Sequence, residues 1–393
     1  MEKRNSGLTQ VAILAISILL TSATAINGAL PQMRASLSMT TTQGELVATV
    51  PSLGVVIFVV LSSLIAKKIG IKRTVQIGLL LVGFGGIAPI FLVNYPLIIV
   101  SRFVLGAGFG LFNSLAVSII NILYRDEENR RANMLGFRGA AENIGSAVMT
   151  IAAGILLSIS WKLSFGIYAI AFVVLIVFTL FVPEITDKTP NKMNHKDKEK
   201  INMTVFLLAL FALFLVMTFV AIGVRFPAMV TSMRGENYNA SNLLAVMPII
   251  GIITGFFFGR IYQALGEKCL HLGLILLAVA TLLIGISAGN FPLLLIGYFI
   301  SGIPGSLIFP FIYNSLNKYA PASKMNVVTS IILIGCNLGS FLAPFGLNLL
   351  QKIGGSESIF TPFIALSTII LGILMIFVIR DMNILQRKVD KTE

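Results

Sequence analysis

Residues 46–54 read Leu46-Val47-Ala48-Thr49-Val50-Pro51-Ser52-Leu53-Gly54, and residues 243–251 read Leu243-Leu244-Ala245-Val246-Met247-Pro248-Ile249-Ile250-Gly251. Both are apolar stretches with alanine, proline and glycine at the same places, and the two prolines are 197 residues apart. Three further matches keep nearly that spacing. Gly106 of Arg102-Phe103-Val104-Leu105-Gly106 answers to Gly302 of Tyr298-Phe299-Ile300-Ser301-Gly302, at 196. Gly145 of Asn143-Ile144-Gly145-Ser146 answers to Gly339 of Asn337-Leu338-Gly339-Ser340, at 194. Pro31 answers to Pro227, at 196. One such match is chance among Leu, Gly and Ala; four at one spacing indicate a duplicated unit.

The segments around these matches are long enough to cross a bilayer. Hydrophobic residues make up 56% of the 393 residues and charged residues only 11%. A soluble domain carries about 25% charge, so this chain has too few charges to cover a water-facing surface. About twenty apolar residues cross the hydrocarbon core as a helix. Runs of that kind predict twelve spans, near 8–30, 44–66, 74–94, 96–123, 133–158, 161–182, 203–230, 241–265, 270–289, 291–317, 325–350 and 358–380. The expected fold is therefore an all-α membrane protein of two six-helix bundles, 1–182 and 203–393, joined by the charged linker 183–202. Parallel repeats of this kind place a substrate site near the midplane between the halves.

The charges orient the spans. Lys67, Lys68, Lys72 and Arg73, then Arg125, Arg130 and Arg131, then the linker lysines, then Arg380, Arg387, Lys388 and Lys391 all fall on one side if the spans alternate. Basic residues mark the cytoplasmic side, so both termini are expected there, in a cell membrane. The net charge of +13 is read as this orientation signal and not as a nucleic-acid surface. Ala23-Thr24-Ala25 imitates a signal-peptide cleavage site, but the segment has a counterpart in the second copy and is taken as the first span. His195 lies among linker lysines and is expected to be solvated. Cys269 and Cys336 have no metal-ligand spacing.

Over essentially its whole length the chain resembles the major facilitator superfamily, and within it the twelve-span drug:proton antiporters. Ser63-Leu64-Ile65-Ala66-Lys67-Lys68-Ile69-Gly70-Ile71-Lys72-Arg73 resembles that family's G-x-x-x-D-R-x-G-R-K loop, with Gly70, Lys72 and Arg73 fitting and Lys67 in the place of the Asp. The resemblance implies a gating loop at Gly70, Lys72 and Arg73, without its usual carboxylate. Arg102 through Gly110 is similar to the R-x-x-x-G-x-G pattern of span four. Span five has small residues, Asn143-Ile144-Gly145 through Ala152-Ala153-Gly154, but lacks the Gly-Pro pair of drug exporters.

The intramembrane charges are the candidate machinery. An arginine keeps its proton and needs a partner or water inside a bilayer. Arg102, about 9 Å into its helix from Pro96, is read either as a functional charge or as a structural one. Glu142 is the one carboxylate well inside a span, about 15 Å from its start. With Arg138 four residues earlier on the same face, it is either the proton carrier or half of a static pair. Arg225, just before Pro227, either snorkels or joins Arg102 in a positively charged cavity. Asn27, Asn113, Tyr298, Tyr313, Asn314 and Asn337 are candidate cavity residues, since buried polar groups need partners that water or substrate can supply.

No catalytic set, phosphate loop, metal cluster or cofactor motif is present, so an enzyme and an ATP-driven pump are not expected. The first expectation is a monomeric antiporter exporting small amphipathic molecules against protons. The alternatives are a carrier of an organic anion or zwitterion using Arg102, Arg138 and Arg225, and a non-transporting membrane receptor.

Overall fold

Prolines, glycines and short polar turns cut the apolar chain into helices of bilayer length. The computed structural model describes residues 7–124, 127–185, 203–319 and 325–389. The helices are α1 (Gly7–Leu20), α2 (Leu30–Leu37), α3 (Thr41–Ile69), α4 (Ile71–Ile87), α5 (Tyr95–Leu123), α6 (Glu128–Leu157) and α7 (Ile170–Phe181). They continue as α8 (Met203–Arg234), α9 (Ser241–Leu265), α10 (Cys269–Ile286), α11 (Phe291–Ile300), α12 (Pro304–Tyr319), α13 (Met325–Ile353) and α14 (Thr361–Val389). The described residues contain no strand. Among the described residues eleven segments are long and apolar enough to cross a membrane, and the bent pair Gly7–Leu20 and Ser22–Leu37, taken as one span, makes a twelfth.

Local chemistry sets the ends. Thr40 caps α3 by accepting from the Gln43 amide, while the Gln43 side chain accepts from the Thr40 amide. Gly70, at φ 92°, is the whole connection between α3 and α4. A backbone in that region strains any residue with a Cβ, so the turn requires glycine. Asn290 caps α11 by accepting from the Leu293 amide.

The first span differs from the straight helix expected over 8–30. Ser22–Ala29 is a 3₁₀ segment, and α1 meets the Ser22–Leu37 stretch at 43°. The cause is tertiary. The Ser22 carbonyl accepts from Tyr168 and the Ala23 carbonyl from Arg102, so two side chains from other spans hold the break open. The fifth span starts at Glu128 and not at 133, its first turn being polar helix ahead of the apolar run.

The described chain packs as two compact units, Met1–Ala245 with Ser330–Pro344, and Val246–Thr329 with Phe345–Glu393. Within the first, α3 and α4 pack on α5, and α1 on α6. Within the second, α10 packs against α14, where the Ser367 hydroxyl donates to the Ala278 carbonyl at 2.8 Å. Residues 186–202 of the linker, His195 among them, lie outside the described residues.

The duplication read from sequence recurs as packing. Gly145 lies against the backbone of Ile18, and Gly339 lies against the backbone of Leu213. Gly106 lies against Pro51, and Gly302 against the Met247 carbonyl. In each pair the partner is displaced by about the same interval as the glycine, so equivalent helices meet at equivalent residues. Small residues at these crossings let backbones approach, and the resulting van der Waals packing favours helix association in lipid.

These crossings predict a contrast. A Cβ at Gly106 would fall on the Pro51 backbone, whereas Gly136 opens onto free space. Gly106→Ala should destabilise by about 1–3 kcal/mol, the usual cost of overpacking. Gly136→Ala should be neutral or stabilising by up to about 1 kcal/mol. Thermal unfolding of the two detergent-purified variants checks this.

Candidate functional site

Arg102, Arg225 and Arg138 lie well inside helices of the first unit, and each is answered differently. Arg102 is wholly buried, at 0% exposure. Its Nε donates to the Val47 carbonyl at 2.9 Å, and one terminal nitrogen donates to the Ala23 carbonyl at 2.8 Å. The other donates to the Tyr168 hydroxyl at 3.2 Å. The guanidinium also lies over the rings of Phe165 and Tyr168, at 5.7 and 5.3 Å. Arg102 thus ties the first, second, fourth and sixth spans together through carbonyl oxygens and π-faces. Charged hydrogen bonds of this kind contribute about 1.5–3 kcal/mol each.

Arg225, on α8, is also at 0% exposure and forms a fork on Glu45 of α3. Its Nε donates to Oε1 and a terminal nitrogen donates to Oε2, the latter at 3.2 Å. Glu45 is itself 3% exposed. Arg34 and Thr41 border a small cleft beside Glu45, together with Pro31 and Val224. The sequence places Glu45 only at the mouth of the second span; its pairing with a residue 180 positions away was not read.

The surroundings of this pair follow the repeat. Asn27 donates its side-chain amide to the Gly223 carbonyl at 3.2 Å, across 196 positions. That interval is the repeat interval, so the contact joins equivalent points of the two copies. One repeat interval along, Glu45 corresponds to Ser241 and Arg225 corresponds to Ala29. Ser241 packs onto Gly28, next to Ala29, and onto Gly154. Asn239 donates to the Gly154 carbonyl at 2.7 Å. One side of the junction is therefore ionic, and its mirror is a close contact of small residues. Ser52 and Ser340 add a hydroxyl contact at 2.8 Å between α3 and α13. The interval itself was the signal that could have paired Glu45 with the α8 side.

Arg138 and Glu142 form the third arrangement. They pair at 2.8 Å, one turn apart on α6, with side chains 19% and 25% exposed. Arg138 also donates to the Asn113 side-chain oxygen at 2.9 Å, and Thr21 donates to the Glu142 carbonyl at 2.7 Å. Exposed Phe137, Ile144, Val148 and Ile155 mark the apolar face of α6, and Arg138 lies about 100° round the helix from it. Glu142 is in the middle of this 30-residue helix, about 21 Å from its first residue.

The remaining predicted residues are scattered. Tyr298 is buried in the second unit, and Tyr313 is exposed. Asn337 donates to the Leu333 carbonyl of its own helix at 2.9 Å. The side chain of Asn314 lies outside the described residues. Gly70, Lys72 and Arg73 form the turn and first residues of α4, away from both ion pairs in sequence and span. Among the described residues no three His, Cys, Asp or Glu side chains gather as a metal site.

Comparison with known proteins adds the family. The sequence matches the family model described as Major Facilitator Superfamily over residues 12–344. The hexuronate transporter of Bacillus subtilis (strain 168) is 23% identical over 263 residues, which are 62% of this chain and 62% of that protein. The match therefore spans less than two thirds of that relative. A solved structure of an auto-inhibited POT family peptide transporter superposes with a TM-score of 0.77 at 13% identity, over 94% of this chain and 96% of that one. The xylose transporter XylE from E. coli, in an inward-open conformation, gives 0.72 at 14%, over 93% and 95%. At such identities the likeness speaks for the fold alone.

The buried pair makes a testable case. Removing Glu45 strands Arg225 beside Arg34, and removing Arg225 leaves Glu45 with Arg34 alone; loss of one partner of a buried pair costs about 3–5 kcal/mol, whereas removing both avoids it. Glu45→Gln and Arg225→Gln should each lower the melting temperature of the purified protein more than the double variant does.

Proposed function

The chain belongs to the major facilitator superfamily, and from that premise we propose a proton-coupled transporter of a small polar solute that works by alternating access. That it is a membrane transporter and not an enzyme follows from the family and from its relatives. The proposal concerns how it works and on what. The observation that carries it is the Glu45–Arg225 junction, which fastens helices of both copies together at one end of the spans.

The physics suits a gate. A buried ion pair loses about as much in desolvation as it regains by attraction, so it contributes little net stability. Separating the helices would hydrate both charges and cost little overall. Meanwhile the small-residue contacts of Ser241 on Gly28 and Gly154 can part and close again without rearranged side chains. We place this gate on the outer side of a cell membrane, with the basic loops and both termini in the cytoplasm. The transport path then runs between the halves 1–182 and 203–393 of a monomer.

Glu142 is the coupling carboxyl in this reading. It is half-buried at mid-helix, where a charge is costly and a proton can be held or released with the local state. Asn113 and Arg138 give the same place a polar character, which supports a polar solute. The substrates for which the similar proteins are named, hexuronate, peptide and xylose, are of that kind. Export of amphipathic molecules against protons is the second reading. It draws on the span-four pattern at Arg102 and uses the same carboxyl.

Proteoliposomes with an imposed pH gradient separate these. Glu142→Gln should abolish gradient-driven accumulation of a polar solute while leaving solute-for-solute exchange within about threefold, since only the coupling step needs the proton. Equal accumulation in both proteins would remove Glu142 from coupling. Gradient-driven efflux of amphipathic cations alone would favour the second reading.

A further inference from the structure

Arg102, Arg225 and Arg138 differ in what they have left to offer. Arg102 has a nitrogen on each of three oxygen acceptors and no exposed surface. Arg225 is closed around Glu45 and is equally inaccessible. Arg138 alone of the three is reachable, and its Nε is buried with no hydrogen-bond partner among the described residues. One terminal nitrogen serves two acceptors at once, Asn113 at 2.9 Å and Glu142 at 2.8 Å. The Glu142 Oε1 on that nitrogen forms an ion contact but no aligned hydrogen bond. This guanidinium is held in place but not saturated.

We infer that the transported solute carries a carboxylate, which docks on the Arg138 guanidinium in place of the Glu142 carboxylate. The planar fork of an arginine matches a carboxylate with two parallel hydrogen bonds, and it never loses its proton. The assignment rests on the proposal that this cluster faces the transport path.

A consequence for coupling follows from charge balance. In the unloaded site one guanidinium faces one carboxylate, and the sum is zero. A solute carboxylate brings the sum to minus one, which a half-buried site inside a bilayer tolerates poorly. Binding one proton at Glu142 restores zero. Arg138 is the one charge acting on Glu142 among the described residues; from the neighbouring elements the Asn113 side chain meets Arg138 and the Thr21 hydroxyl meets the Glu142 backbone carbonyl, and both are uncharged. Solute and proton are therefore loaded together and move in the same direction, one proton per carboxylate. An amphipathic cation would be repelled by Arg138.

The test is binding to the full-length purified protein, read as thermal stabilisation. The probes are organic acids (lactate, succinate, glutamate and glucuronate), each beside its amide or neutral counterpart, with inorganic phosphate and sulfate as separate arms. At least one acid should stabilise the protein where its neutral counterpart does not. Its apparent affinity should fall at least tenfold in Arg138→Gln and partly recover in Arg138→Lys. In Glu142→Gln, which removes the competitor, that acid should bind more tightly and lose its pH dependence. The inference is overturned if no acid stabilises the protein, if neutral counterparts stabilise equally, or if Arg138→Gln retains the affinity. Equal stabilisation by phosphate or sulfate would also overturn the carboxylate class in favour of a general oxyanion site. Acid binding through Arg138 without proton-driven flux would instead defeat the transporter mechanism proposed above and leave the binding assignment intact.

Discussion

An arginine inside a bilayer cannot be neutralised by losing its proton, and the arrangement of this protein follows from how three of them are answered. Arg102 is answered by backbone carbonyls and aromatic faces, and so becomes a pin between four spans. Arg225 is answered by a carboxylate from the other copy, and so becomes a junction. Arg138 is answered incompletely, by a carboxylate on its own helix and the Asn113 side-chain oxygen on one shared nitrogen, and stays reachable. Pinning and, in our proposal, gating and binding are thus three solutions of one electrostatic problem. Burial decides which is which.

The duplication gives the junction its position. Contacts between a residue and its own repeat equivalent can occur only near the axis relating the copies, and Asn27 on Gly223 is such a contact. The ionic contact of Glu45 with Arg225 and the small-residue contact of Ser241 with Gly28 are the two unequal versions of one symmetric meeting. In this chain one side is polar and the other is close-packed. That division gives the junction a charge-dependent part and a part that sets its geometry.

Much of the fold was legible in the sequence, because hydropathy and the repeat are written in the order of residues. The spans and the matched glycines came from that order, while the backbones those glycines cross came from the structure. The break in the first span did not: Ser22–Ala29 carries no proline, and its cause is Arg102 and Tyr168, which arrive from distant spans. The Arg138–Glu142 pair was readable from its one-turn spacing, whereas Asn113, its third member, joins from another helix. The partner of Glu45 was not legible, because pairing across 180 positions leaves no local trace. The family follows from the sequence match, but solute and coupling depend on pairings that local patterns do not specify.

The central claim is that the junction must open for solute to pass. Its most direct measurement uses Asn27→Cys with Gly223→Cys, in a chain whose Cys269 and Cys336 are replaced by alanine. These two positions already touch through the Asn27 amide. The account predicts that oxidation to the disulfide stops flux in proteoliposomes and that reduction restores it. Undiminished flux through the fully cross-linked protein would contradict it.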